Sequence, residues 1–167
     1  EAVIHLRTTY RILGFLVVLV SVGLSIAAGA PAAPGSGTAT VSPLTATVGT
    51  PGTWTLVYSA TDYFTNGTLR VTVPAGWTAP QTSNATSPGY VEVSSDHGGA
   101  GLVVSASGQQ VTISIVDLPK PKIITVVYGS TSGGPGGRAV PPTASNPSAV
   151  FVVESDPLGT DLQPIAA

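Results

Sequence analysis

The sequence predicts an all-β chain folded as an antiparallel sandwich, and three observations predict it. Short segments alternate apolar and polar residues with period two, as at Trp54, Leu56 and Tyr58 or at Val111, Ile113 and Ile115. Turn-forming residues separate neighbouring segments, supplied by 20 glycines and 15 prolines among 167 residues. Beyond residue 30 nothing reads as a helix. Eight or nine strands at such short spacing fit two sheets over one core, with a barrel as the structural alternative.

The composition sets the setting. Only 8% of residues are charged, far below the usual quarter, so Ser, Thr, Asn and Gln must supply the polar surface. That balance is common in extracellular β-proteins rich in turns. The regular Val, Ile, Leu and Tyr alternation argues against a disordered low-complexity chain. With no cysteine there is no disulfide or thiol chemistry. There is no methionine either, so Glu1 suggests a fragment of a longer frame, and the ending at Ala167 reads as cut in mid-strand.

Residues 1–30 are expected to form a signal peptide or an N-terminal membrane anchor helix. Arg7 and Arg11 precede residues 12–28, an apolar run without charge. Small residues around Ala28, Ala30 and Ala32 fit a cleavage site. The run reaches the lower edge of a membrane span, so a retained anchor is the rival. Either way the remainder is exported, secreted or held at the cell surface. Beyond residue 30, four basic residues face seven acidic ones, a net of −3. Without a basic patch, nucleic acid is not an expected partner, and membrane contact is expected only through the N-terminal segment.

Residues 31–43 read as a Pro/Ala/Gly/Ser linker and a first short strand, and residues 44–167 as the sandwich. Residues 38–42 form that first strand, stopped by Pro43, with 44–48 continuing it after a kink. After a turn at 49–52, residues 53–59 make a strong strand with Trp54, Leu56 and Tyr58 on one face. Asn66-Gly67 is a hairpin-type pair, so 53–73 read as an antiparallel hairpin. In its second arm Leu69, Val71 and Val73 alternate with Arg70 and Thr72. Pro74 ends the pairing, Gly76 allows a sharp bend, and Trp77 can fold back over the end of the sandwich.

Residues 78–89 are a Pro/Ser/Thr/Asn loop and 90–94 a short strand. A flexible loop follows at 96–101. Residues 102–106 and 110–116 form a hairpin about Ser107-Gly108. Asp117 to Pro121 is a rigid connection into strand 122–128, where Ile124, Val126 and Tyr128 share a face. A long loop over 129–146, flexible at 133–137, leads to the strand 149–154, a turn at 156–159 and an edge near Ile165.

Chemistry-bearing residues are sparse. The exported part holds one histidine, His97, so a His-based metal cluster or a Cys–His nucleophile cannot be assembled from one chain. No Gly-x-Ser-x-Gly elbow accompanies it, and His97 reads as a solvated loop residue. Asp62, Asp156 and Asp161 are oxygen donors suited to a hard cation, but their spacing is not that of an EF-hand, and a turn-stabilising role suits them better. Residues 133–137 lack the Lys-Ser/Thr ending of a phosphate loop. Trp77 and Tyr90, at loop–strand borders, are the aromatics with most scope to form a ligand surface. Asn66-Gly-Thr68 and Asn84-Ala-Thr86 match the N-glycosylation acceptor pattern.

Four motifs in order carry a resemblance: Thr-Val-Pro-Ala-Gly-Trp at 72–77, Ser-Pro-Gly-Tyr-Val at 87–91, Ser-Gly-Gln-Gln-Val-Thr-Ile at 107–113 and Ile-Thr-Val-Val-Tyr-Gly-Ser at 124–130. Together they resemble an Ig-like β-sandwich module of bacterial and archaeal secreted or cell-surface proteins, over residues 44–167. The resemblance implies a stalk, spacer or adhesive unit, with no catalytic residue, cofactor or metal. Its implied partners are other surface-protein domains, or further copies of the chain through an open β-edge. In that family pattern a further strand follows the turn near Gly159, so the final strand is expected to be missing here. The expected function is a non-catalytic structural or interaction module. The alternatives are a carbohydrate-binding module using exposed aromatics and a filament subunit that exchanges strands.

Overall fold

The computed structural model describes residues 32–144 and 149–165. The expected signal or anchor segment, 1–30, lies outside the described residues. Nine strands run in chain order: β1 Thr38–Ser42, β2 Trp54–Ser59, β3 Phe64–Thr72, β4 Val91–Ser95, β5 Val103–Ser107, β6 Gln110–Leu118, β7 Ile123–Tyr128, β8 Val152–Asp156 and β9 Gln163–Pro164. Among the described residues a single 3-10 turn, η1 Pro135–Gly137, interrupts the loop before β8. Among the described residues no helix is long and apolar enough to cross a membrane.

The strands form two separate antiparallel sheets, which decides for a sandwich over a barrel. One has the order β1-β2-β7-β4, the other β5-β6-β3-β8-β9. Period-two alternation gives each sheet one apolar face, and the two faces meet. Trp54, Leu56 and Tyr58 from β2 and Ile124, Val126 and Tyr128 from β7 are buried against Leu69 and Val71 from β3 and Val111, Ile113 and Ile115 from β6. Each such side chain contributes about 1.5–3 kcal/mol by leaving water. With no disulfide available, this core is the main source of stability.

The hairpin expected over 53–73 does not form. β2 pairs with β1 and β7, whereas β3 pairs with β6 and β8 in the other sheet. The chain crosses between sheets after Ser59, carried by Ala60 and Phe64, both buried. Asn66 is not at a hairpin tip but inside β3, with φ of 52°. Residues 44–48 do not extend β1, because the chain turns away after Pro43. β1 itself pairs along its whole length with β2, from Thr38↔Ser59 to Ser42↔Thr55, so the sandwich begins before residue 44.

The β5–β6 hairpin forms as expected, from Val103↔Ser114 to Ser107↔Gln110. β8 starts at Val152, later than the alternation suggested, and closes the central strand β3 through Thr72↔Val152 to Thr68↔Asp156. β9 is only two residues long and adds Glu154↔Pro164 and Ser155↔Gln163, and Ile165 N donates to Val153 O.

Two buried tyrosines tie loops to the core. Tyr58 OH donates to Ser36 O at 2.8 Å, and Tyr128 OH donates to Thr78 O. In each case the ring fills core volume while the hydroxyl donates to a loop carbonyl; Ser36 O also accepts from Ser155 Oγ. Burial pushes the Tyr58 phenol up to about 12 and raises that of Tyr128 further, so both are neutral donors at ordinary pH.

Candidate functional site

The aromatic residues gather where residues 74–78 turn over the end of the sandwich. Pro74 and Gly76, whose φ is +82°, set that turn, and Trp77 N donates to Pro74 O. Trp77 then drops onto Trp54, with ring centroids 4.5 Å apart and planes at 68°. Phe151 meets Trp77 edge-on at 5.6 Å, and Tyr128 lies at 6.4 Å. Trp77 is 7% exposed. It therefore caps the core, as its fold-back suggests, and does not present a face on which a sugar ring could stack.

Tyr90 is half-buried at the start of β4. Its backbone does the visible work: Tyr90 O accepts from Gly129 N and Ser130 N, and Tyr90 N donates to Gly137 O. Trp77 and Tyr90 are therefore not brought together as a ligand platform.

Beside the aromatic cap lies a cleft of about 430 Å³, bordered by Val41, Pro43, Leu44, Trp54, Trp77 and Phe151 among others. Among the described residues no charged side chain lines it, and its polar side-chain atoms come from Thr45 and the tryptophans. Such a lining suits an apolar group.

Several ionisable side chains lie elsewhere and are engaged with one another, with backbone or with neighbouring polar side chains. Arg70 and Glu154, directly opposite on β3 and β8, form a two-point pair, with Nε–Oε2 at 2.5 Å and Nη2–Oε1 at 2.6 Å. Hydrogen bonding to Arg70 holds the Glu154 carboxyl below the usual range. On β6 of the same sheet, Asp117 Oδ1 accepts from Tyr63 OH, and His97 Nε2 lies 3.0 Å from Asp117 Oδ2. The Tyr63 bond is the main cause of a lowered Asp117 carboxyl, with His97 adding to it. His97 is thus paired to an acid rather than merely solvated. Ser95 Oγ donates to Ile123 O and accepts from His97 N.

The three aspartates weighed as cation donors bind backbone and turn groups instead. Asp62 Oδ2 accepts from Ala33 N at 3.0 Å. Asp156, buried at the end of β8, accepts from Leu158 N and from Asp161 N, the latter at 2.7 Å. Asp161 Oδ1 accepts from Gln163 Nε2. Asp156 thus closes a turn, the role expected of it, whereas Asp62 ties down a backbone amide 29 residues away and Asp161 binds a side-chain amide. Among the described residues no three His, Cys, Asp or Glu side chains gather around a common point.

Residues 133–137 are packed rather than loose, contrary to the flexible connection expected from their glycines. A Cβ on Gly133 would lie 2.3 Å from Ala85 Cβ, and one on Gly137 2.0 Å from Ser130 O. The glycines are there because the 84–86 loop and the 130–137 loop press together. Below them Ser130 Oγ donates to Glu92 Oε2 at 2.8 Å, a bond between residues 38 apart that no local pattern announced.

No family model matches the chain, and no curated protein does. Among solved structures, a chain from the crystal structure of the RrgA Jo.In complex is similar in fold, with a TM-score of 0.51 and 8% identity. The match covers 77% of this chain and 75% of that one. At that identity the likeness shows the shared two-sheet architecture.

Proposed function

We propose that the chain is a non-catalytic structural or interaction module of an exported cell-surface protein: an Ig-like sandwich that spaces, extends or presents neighbouring domains. The observation that supports it best is the use of its polar side chains. Tyr58 and Tyr128 anchor loops, Asp62 holds Ala33 N, Asp156 closes a turn, Asp96 Oδ1 accepts from Ile123 N, and Arg70 pairs with Glu154. Groups that a catalytic site would hold ready are here committed to holding the fold. The crossing of the chain between sheets after β2 suits the Ig-like order, and the uncharged run at 12–28 supports export. Expected partners are adjoining domains of the same surface protein.

The test is a fusion of the whole chain to a phosphatase that folds only after export, paired with binding of the folded chain to a panel of soluble glycans. Phosphatase activity outside the cell with no saturable glycan binding supports the proposal. Retention inside the cell overturns export. Saturable glycan binding overturns the purely structural role in favour of a carbohydrate-binding module.

A further inference from the structure

We propose that Asn84, and not Asn66, is the acceptor site for an N-linked glycan in the folded chain. Both match the Asn-x-Thr pattern, and both asparagines are exposed, so neither pattern nor exposure separates them. Their backbones do.

An N-linking transferase must reach two atoms at once, the asparagine amide nitrogen and the hydroxyl two residues on. At Asn84 both lie on one turn. Asn84 Oδ1 accepts from Thr86 N at 3.0 Å and from Thr86 Oγ1 at 2.8 Å, which draws the hydroxyl beside the carboxamide. The turn is built from beneath. Gln81 Oε1 accepts from Ser83 N and Asn84 N, and Gln81 Nε2 donates to Asn84 O and Ser87 O. On its other side, the absence of side chains at Gly133 and Gly136 lets the 130–137 loop close against Ala85 and Thr86 O. Asn84 is left at the outer surface, and among the described residues its Nδ2 donates no hydrogen bond.

Asn66 is the reverse case. It lies in β3, the central strand of the five-stranded sheet, and its Thr68 is paired on one side with Ser114 and on the other with Asp156. Gly67 between them is buried, and a Cβ there would lie 2.5 Å from Asp156 O and 2.6 Å from Pro157 O. An enzyme groove cannot receive that segment without pulling β3 out of its sheet.

The donor class proposed is a polyprenyl-pyrophosphate oligosaccharide, whose anomeric carbon carries a good leaving group. Asn84 Nδ2 attacks the anomeric carbon of the donor sugar. The N–C bond forms as the C–O bond to pyrophosphate breaks, the amide nitrogen gives one proton to a base on the transferase, and the polyprenyl pyrophosphate leaves. A glycan at this point would cover the junction of the two loops.

This inference goes beyond the structural role, and its test does not depend on export. The purified, folded chain is incubated with such a donor and a single-subunit oligosaccharyltransferase that needs no acidic residue before the acceptor. Intact mass and glycopeptide sequencing are the readouts. The expected result is a gain of one glycan mass, located at Asn84, lost in Asn84→Gln and Thr86→Ala and kept in Asn66→Gln. Glycan on Asn66 of the folded chain overturns it. So does an unmodified chain while a standard acceptor peptide in the same reaction is modified.

Discussion

Trp77 stands edge-on to the indole of Trp54, centroids 4.5 Å apart, and so joins the loop after β3 to the first residue of β2 in the opposite sheet. Both rings are buried, at 7% and 3% exposure. Trp77→Ala should therefore cost about 3–5 kcal/mol, the range for emptying an aromatic site in a core. Trp77→Phe should keep a good part of that. Denaturant unfolding of the three proteins checks it. If Trp77 were a surface ligand contact instead, Ala would leave the midpoint nearly unchanged.

The glycines separate into two kinds, and alanine substitution should distinguish them. At Gly108, in the β5–β6 turn, φ is +57° and a Cβ would meet nothing within 4 Å. Gly108→Ala should cost only the left-handed backbone penalty, about 1–2 kcal/mol. At Gly137 a Cβ would lie 2.0 Å from Ser130 O, a backbone atom that cannot swing aside. Gly137→Ala should cost more, roughly 3 kcal/mol, the upper end for overpacking. Thermal unfolding of the pair gives the order, and equal melting points would contradict the packed loop.

That loop marks the boundary of what the sequence makes legible. The Trp54, Leu56 and Tyr58 face, the β5–β6 hairpin and the fold-back of Trp77 depend on neighbours within a few residues, so composition and alternation reveal them. Which strand β3 joins does not. Asn66-Gly67 is a local turn signal, but β3 pairs with β6 and β8, contacts set by the shape of the whole core. The same holds for polar partners. His97 and Asp117 are 20 residues apart, and Ser130 and Glu92 are 38 apart. Asp156 was readable as a turn residue because carboxylate bonding to nearby backbone is a short-range effect, whereas the Asp62 bond to Ala33 N, 29 residues away, was not.

The pair Arg70–Glu154 should make stability depend on pH at the acid end. Hydrogen bonding to Arg70 lowers the Glu154 carboxyl in the folded chain, so the unfolded chain takes up its proton first as pH falls. The contribution is thus fully present above the ordinary glutamate value of about 4.3 and is lost as pH drops through the lower folded value. Glu154→Gln should cost about 1 kcal/mol at neutral pH and flatten the acid limb. Asp117, lowered chiefly by its bond from Tyr63, acts in the same direction. Urea midpoints across the acid range decide it; parallel curves for both proteins would rule out the pair as a contributor.

At the alkaline end the buried tyrosines set the limit. Burial raises the Tyr58 phenol to about 12 from an ordinary value near 10.0, with the bonds involving Ser155 and Ser36 opposing that rise. Tyr128 is raised by burial as well. A raised phenol keeps its proton in the folded chain while the unfolded chain has begun to lose it. The stability held by these groups is therefore intact below about pH 10 and falls as pH climbs toward 12. Phenolate absorbance should rise in two stages, the first from accessible tyrosines and the second, at higher pH, coinciding with loss of sheet signal in circular dichroism. Tyr58→Phe should remove part of the second stage and, with Ser155 Oγ still donating to Ser36 O, cost only about 0.5–1.5 kcal/mol at neutral pH. A single smooth titration with the sheet still intact would mean that neither ring is held in the core.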